Sequence, residues 1–200
     1  MSAAADAPES PWLGELEACG ALTRGHFKLS SGRHSPAYVQ CARLLQDPRR
    51  ARWAGQELAE ALEAELGRVP GSVLAPAMGA ILIGHEVASA WGVPYRFSER
   101  DGEGKMALRR GFELPDGEEL VIIEDVVTSG RSTWETAELA RAHGAEVVAV
   151  GSILDRTGGG DPFDVPFVSL AQLSLPTYEA EECPMCAEGL EVVKPGSRPG

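Results

Sequence analysis

Apolar positions change their spacing several times along the chain, and each change marks an element. Ala54, Leu58, Ala61, Leu62 and Leu66 recur every three or four residues, the period of a helix face. Asp47 and Pro48 stand just before them as cap and first turn, and Pro70 with Gly71 ends the pattern. "SVLAPA" is a short apolar run and reads as a buried strand; residues 80–91 read as a second helix and "VPYRF" as another strand. "EELVIIED" is the clearest strand. Residues 132–143 follow as a helix with Thr136, Leu139 and Ala140 on one face, then "AEVVAVGSIL" as the next strand. Upstream, residues 11–19 suit a short helix, and "GHFKLSSGRHSPAYVQCA" suits two short strands around a Gly/Ser/Pro turn. The polar stretch "SERDGEGKMALRR", residues 98–110, fits no packed element and is expected to be a mobile loop. Residues 1–10 read as a disordered lead-in and residues 176–200 as an irregular tail, leaving one domain over 11–175. Strands that are apolar throughout and alternate with helices predict an α/β fold, a mostly parallel sheet covered on both faces.

Composition narrows the function. The 200 residues are 44% hydrophobic and 24% charged, ordinary for a globular domain, and no apolar run approaches the ~18 residues of a membrane span. "MSAAADAPES" has neither the basic start nor the apolar centre of a secretory signal. The formal net charge of −12 argues against nucleic-acid binding, so an anionic ligand needs a local basic site or a metal. Four cysteines are too few for a disulfide scaffold of this length, and a reducing cytoplasm is the expected setting.

The candidate chemistry lies in "LVIIEDVVTSGRST". Glu124 and Asp125 fall at the carboxyl end of a strand, where parallel sheets bind ligands. The turn Thr128, Ser129, Gly130, Arg131 and Ser132 opens a helix, so its N–H groups and the helix dipole suit a phosphate. Carboxylates a few ångströms away suit hydroxyls or a hydrated Mg²⁺. A sugar phosphate carries both groups. Competing motifs fail: there is no G-x-x-x-x-G-K-[ST], "GEGKMALRRG" lacks the third glycine of a dinucleotide fingerprint, and Ser89 stands where a zinc-protease helix beginning at His85 and Glu86 needs its second histidine.

This stretch resembles the ribose-5-phosphate signature of type I phosphoribosyltransferases. The resemblance implies that Glu124 and Asp125 bind the ribose hydroxyls of phosphoribosyl pyrophosphate (PRPP) and that residues 128–132 cradle its 5-phosphate. "GHFKLSSGRHSPAY" and "ILDRTGGG" resemble one branch of that family, the orotate phosphoribosyltransferases. There Arg156 corresponds to the arginine that grips the orotate carboxylate, which a planar guanidinium can do bidentately. Lys28, Ser31, Gly32, Tyr38 and Thr128 are implied as its companions around orotate. The likeness covers roughly residues 20–160. It implies a central mostly parallel sheet with a small hood built from the N- and C-terminal segments, Mg²⁺ carried by PRPP near Glu124 and Asp125, and a homodimer in which loop 98–110 completes the neighbouring site. Arg100 and Lys105 are the expected cations for pyrophosphate and, with Asp125, the expected catalytic residues. The chain departs from the branch at Ser30, where many members carry lysine, and at Met78 and Gly79 after "APA", where many carry another. Arg109 and Arg110 are further loop cations. The rival readings are transfer to another base and a non-catalytic PRPP-sensing regulator.

"CPMCAEG" looks like half of a zinc knuckle: Cys183 and Cys186 would offer two thiolates, and a closed site needs four ligands. Cys19 and Cys41, or a second subunit's pair, could supply the rest. Two structural thiols with no metal, or an occasional disulfide, are the plain alternative.

Overall fold

The computed structural model describes residues 10–29, 31–160 and 162–195. The expected lead-in, apart from Ser10, lies outside the described residues, as does Ser30. Ser10 caps the first helix, α1 (Pro11–Ala18), accepting from the Trp12 N–H, and donates its own hydroxyl to the Leu170 carbonyl at 2.7 Å. Strands β1 (Leu22–Lys28) and β2 (His34–Val39) form the expected antiparallel hairpin, and a single turn, α2 (Ala42–Leu45), follows. Helix α3 (Pro48–Leu66) begins where the sequence places it, with the Asp47 carboxylate accepting from the Arg49 N–H at 2.9 Å.

Next come β3 (Ser72–Pro76), α4 (Ile81–Trp91), β4 (Tyr95–Arg100), β5 (Met106–Leu108), β6 (Glu119–Val127), α5 (Arg131–Ala142), β7 (Glu146–Asp155) and β8 (Phe167–Gln172). The sheet order is β5-β4-β3-β6-β7-β8, parallel throughout except for β5. Along β6 the side chains alternate between two layers. Val121 and Ile123 join Leu58 and Leu62 of α3 and Ile83 and Val87 of α4, while Leu120 and Ile122 join Ala137 and Ala140 of α5. Both faces of the sheet are therefore dry, which is why its strands lack polar alternation.

This topology locates a crevice. From β3 the chain moves outward through α4 to β4 and β5, then returns to the other side of β3 as β6. Between the carboxyl ends of β3 and β6 the winding reverses, and open α/β sheets bind ligands at such a point.

One expectation needs correction. Residues 98–110 are not an unpacked loop. Ser98, Glu99 and Arg100 extend β4 and pair with Leu108, Ala107 and Met106 of β5. The turn between them is held by Asp101, whose Oδ1 accepts from the N–H groups of Glu103 and Lys105 at 2.9 and 3.0 Å. A three-residue edge strand is too short to show a period in sequence. The tail is irregular but tied down. Tyr178 and His34 exchange backbone hydrogen bonds, and Val193 bonds to His26 and Lys28. A 3₁₀ turn (Ala180–Glu182) and one turn of helix, α6 (Pro184–Ala187), lie between.

Candidate active site

Glu124 and Asp125 stand near the carboxyl end of β6, as expected, and differ in setting. Glu124 is buried, with 6% exposure. Its carboxylate accepts from the Ser132 hydroxyl at 3.0 Å, the Thr133 hydroxyl at 3.4 Å and the Asp125 N–H at 3.2 Å. Burial, with the Asp125 charge beside it, pushes its pKa up to about 8. Asp125 is half-buried, and its Oδ1 accepts from the Val126 N–H at 2.9 Å.

The turn after β3 meets this pair from across the crevice. A Cβ built on Gly79 would lie 2.5 Å from Asp125 Oδ2, so only glycine lets that turn approach the carboxylate without displacing it. Gly79 is a site residue that the sequence reading missed, having treated it only as a departure from a motif. The missing signal was topology: β3 and β6 are adjacent although 120 follows 72 by a long detour.

Residues 126–133 surround a cavity of about 200 Å³, with Arg100 at its edge. Gly130 adopts φ 71°, a left-handed conformation that favours glycine, and turns the chain into α5. No side chain caps this helix, so its first N–H groups and its dipole face the cavity. Glu135, one turn into α5, accepts from Arg131 Nε at 2.8 Å and from Arg100 Nη2 at 2.7 Å. It thus fixes both arginines at the rim. Its i,i+4 spacing from Arg131 is the only hint of this in the sequence.

A second cavity, of about 570 Å³, adjoins the first. Lys28, Ser31, Arg33, Tyr38, Thr128 and Arg156 are among its lining residues, so five of the six residues expected around orotate converge here. Gly32, the sixth, lies beside Ser31 in the β1–β2 turn, its N–H bonded to the Leu29 carbonyl at 2.9 Å. Thr128 lines both cavities and joins them into one site. Arg156 has no ion-pair partner among the described residues, and its Nε is buried without a hydrogen-bond acceptor there. Burial also holds its guanidinium below the ordinary arginine value. A buried donor without an acceptor is costly, and a ligand carboxylate would satisfy it. Asp155 is not its partner: that carboxylate accepts from the Thr157 N–H at 2.7 Å and Gln172 Nε2 at 2.9 Å. Arg33 was not anticipated; it reaches Thr177 and Glu179 and binds the tail to the pocket wall.

The remaining loop cations are elsewhere. Lys105 pairs with Glu103 at 2.9 Å on the exposed hairpin tip, while Arg109 and Arg110 pair with Glu99. Among the described residues, only Arg100 of this group borders the first cavity. The cysteines also sort differently from the expectation. Cys41 is buried, with its Sγ 3.8 Å from the Asp125 carbonyl; burial and the charges of Asp125, Cys19 and Glu124 hold its thiol well above the usual range. Cys183 and Cys186 converge instead with His26 and His34.

The phosphoribosyl transferase domain model matches residues 42–180. An orotate phosphoribosyltransferase of Caldanaerobacter subterraneus is 48% identical over 177 residues, 88% of this chain and 91% of that protein. One from Thermotoga maritima is 48% identical over 183 residues, 92% of this chain and 96% of that one. Among solved structures, orotate phosphoribosyltransferase from Aeropyrum pernix superimposes with a TM-score of 0.69 at 28% identity, covering 80% of this chain and 92% of that one. Adenine phosphoribosyltransferase from Thermoanaerobacter pseudethanolicus shares the fold alone, with a TM-score of 0.60 at 20% identity over 68% of this chain and 88% of that one. By the domain match and by these identities over most of both chains, the chain belongs to the orotate phosphoribosyltransferases of the phosphoribosyl transferase family.

Proposed function

We infer that the chain transfers the 5-phosphoribosyl group of PRPP to orotate, giving orotidine 5-monophosphate and pyrophosphate in pyrimidine nucleotide biosynthesis. The observation that carries this reading is the joining of two cavities at Thr128: N–H groups suited to phosphate on one side, a half-buried unpaired arginine suited to a carboxylate on the other. In this arrangement the 5-phosphate would sit against residues 128–132 and the ribose hydroxyls would donate to Glu124 and Asp125. The orotate carboxylate would meet Arg156, with Lys28, Ser31, Gly32 and Tyr38 around the ring. C1 then lies between the two cavities. Bond breaking leaves positive charge on the ribose and negative charge on pyrophosphate, so the protein needs to orient and to stabilise charge rather than supply a nucleophile.

The acidic pair offers the all-oxygen surroundings that Mg²⁺ prefers, and Glu124 and Asp125 are the residues that would stand nearest to it. When bound through PRPP, the ion would neutralise the leaving pyrophosphate. Arg100 would assist at the rim of the cavity. Lys105, exposed on the β4–β5 tip where it pairs with Glu103, would serve the site of a second copy in a homodimer. A cytoplasmic setting follows from the same reading, and among the described residues no helix is long and apolar enough to cross a membrane.

A spectrophotometric orotate-depletion assay with PRPP and Mg²⁺ tests the assignment. Depletion that requires PRPP supports it. Turnover of adenine, hypoxanthine or xanthine with none of orotate would overturn it.

A further inference from the structure

We propose that His26, His34, Cys183 and Cys186 bind one Zn²⁺ as a structural Cys₂His₂ site, and that this ion clamps the C-terminal strap onto the β1–β2 hairpin. The four ligand atoms lie within 4.8 Å of one another, although the residues come from opposite ends of the chain. Three are buried; only Cys186 reaches the surface. A tetrahedral zinc with ordinary bond lengths places nitrogen and sulfur ligands ~3.5 Å apart. Three of the four nitrogen–sulfur separations are 3.5 Å (Cys183 to His26 Nε2), 3.7 Å (Cys186 to His26 Nε2) and 3.3 Å (Cys186 to His34 Nδ1), and the fourth is within 4.8 Å. The two histidine nitrogens are 2.8 Å apart and would open by roughly 0.5 Å to accept the ion.

The surroundings are those of a metal site. His26 Nδ1 lies 2.9 Å from the Leu190 carbonyl, so it carries the proton and leaves the Nε2 lone pair aimed at the other three ligands. Thiolate and imidazole together suit a soft or borderline cation in tetrahedral geometry, not Mg²⁺ or Ca²⁺. The hairpin is also built for convergence. Its register shifts between Arg24 and Phe27, so that His34 faces Lys28 rather than Phe27. Without that bulge, His34 would point to the opposite face of the hairpin from His26.

The clamp has a consequence for the second cavity. Around the four ligands, Val193 and Tyr178 bond to β1 and β2, and Arg33 bonds to Thr177. These contacts bring Leu175, Thr177 and Pro195 to the wall facing Arg156. The ion would therefore hold one wall of the base pocket in place. This second part rests on the functional reading above; the metal site itself does not.

Elemental analysis of the purified full-length chain, dialysed against a weak chelator, should find about one zinc per chain. Cobalt replacement should produce the intense thiolate charge-transfer and visible bands of a tetrahedral site. The Cys183→Ser/Cys186→Ser variant should lose both signals. Because that variant could misfold, the parent chain stripped with a strong chelator and then reloaded provides a second arm. Stripping should expose the tail to limited proteolysis and raise the orotate KM roughly tenfold with a smaller change in kcat, and zinc should reverse both. Metal far below one per chain with no cobalt spectrum overturns the site, as does full occupancy in the double variant. Stoichiometric zinc whose removal leaves both proteolysis and KM unchanged overturns the clamp. Neither the metal content nor the cobalt spectrum depends on orotate, so a wrong substrate would leave them intact.

Discussion

Glu124→Gln isolates what burying a carboxyl group beside Asp125 does to the ligand-free protein. Burial and the neighbouring charge raise the Glu124 pKa from 4.5 to about 8. Between those values the folded chain holds a proton that the unfolded chain has released. Stability therefore falls as pH rises through this interval: the contribution is fully present below about pH 4.5 and lost by about pH 8. At about 1.4 kcal/mol per unit, the shift is worth on the order of 4–5 kcal/mol. The side chain is 6% exposed, so solvent screening removes little of this. Glutamine preserves the shape and can keep the Ser132 and Thr133 hydroxyls as partners, but it cannot ionise. Urea titrations of both proteins at half-unit intervals from pH 4.5 to 8.5 read the difference. The midpoints should nearly coincide at the acid end. By pH 8 the variant should be ahead by about 2 M urea, taking a slope of about 2 kcal/mol per molar. It should also be nearly inactive at every pH. Parallel stability curves would refute the argument, because they would mean that Glu124 ionises in the folded chain as it does in the unfolded one.

Other substitutions test the remaining parts of the site. Asp125→Asn should lower turnover about 10²-fold while leaving the thermal midpoint close to the parent's, because its half-buried carboxylate faces the crevice; equal turnover would show that the reaction occurs elsewhere. Gly79→Ala should displace Asp125 by roughly 1 Å and lower kcat by about 10²-fold without backbone strain, and steady-state kinetics beside far-UV dichroism would separate that from misfolding. Arg156→Ala should raise the orotate KM roughly 10- to 100-fold, the value of a charge-assisted contact, with PRPP binding unaffected in calorimetry. Arg100→Ala should cost about 10²- to 10³-fold in rate, and a rate within twofold of the parent would remove it from the pyrophosphate site.

The sheet and the turn between β6 and α5 were legible because their signals are local. An apolar run, two acids and a small hydroxyl-bearing turn occupy 14 consecutive positions, 120–133, and the fold keeps them together. Strand β8 was not legible. It is an edge strand, mostly half-buried, and its residues show neither a continuous apolar run nor alternation. Strand β5 has only three residues, and its pairing is fixed by the Asp101 turn rather than by its own composition. The paired histidines were beyond reach for another reason. Their common face depends on one extra residue in a hairpin, and their partners lie about 150 positions away. Spacing within a segment cannot report either fact.

Arg156 shows how tertiary structure bears on a charge pair that, taken alone, reads as a surface ion pair. Asp155 and Arg156 are adjacent opposite charges, and exposed pairs of that kind contribute little. But consecutive residues near a strand end point to opposite sides. Asp155 ends β7 and is buried; its acceptors are taken by Thr157 and Gln172. Arg156 begins the following loop, with its N–H bonded to the Val127 carbonyl at 2.8 Å, which fixes it beside the end of β6 and next to Thr128. The strand end thus separates the two charges and satisfies only the acid. The unsatisfied guanidinium faces the second cavity, about 570 Å³ in size. A half-buried guanidinium whose Nε lacks a protein acceptor costs stability that a ligand anion could return, which fits the proposed carboxylate contact better than a structural ion pair.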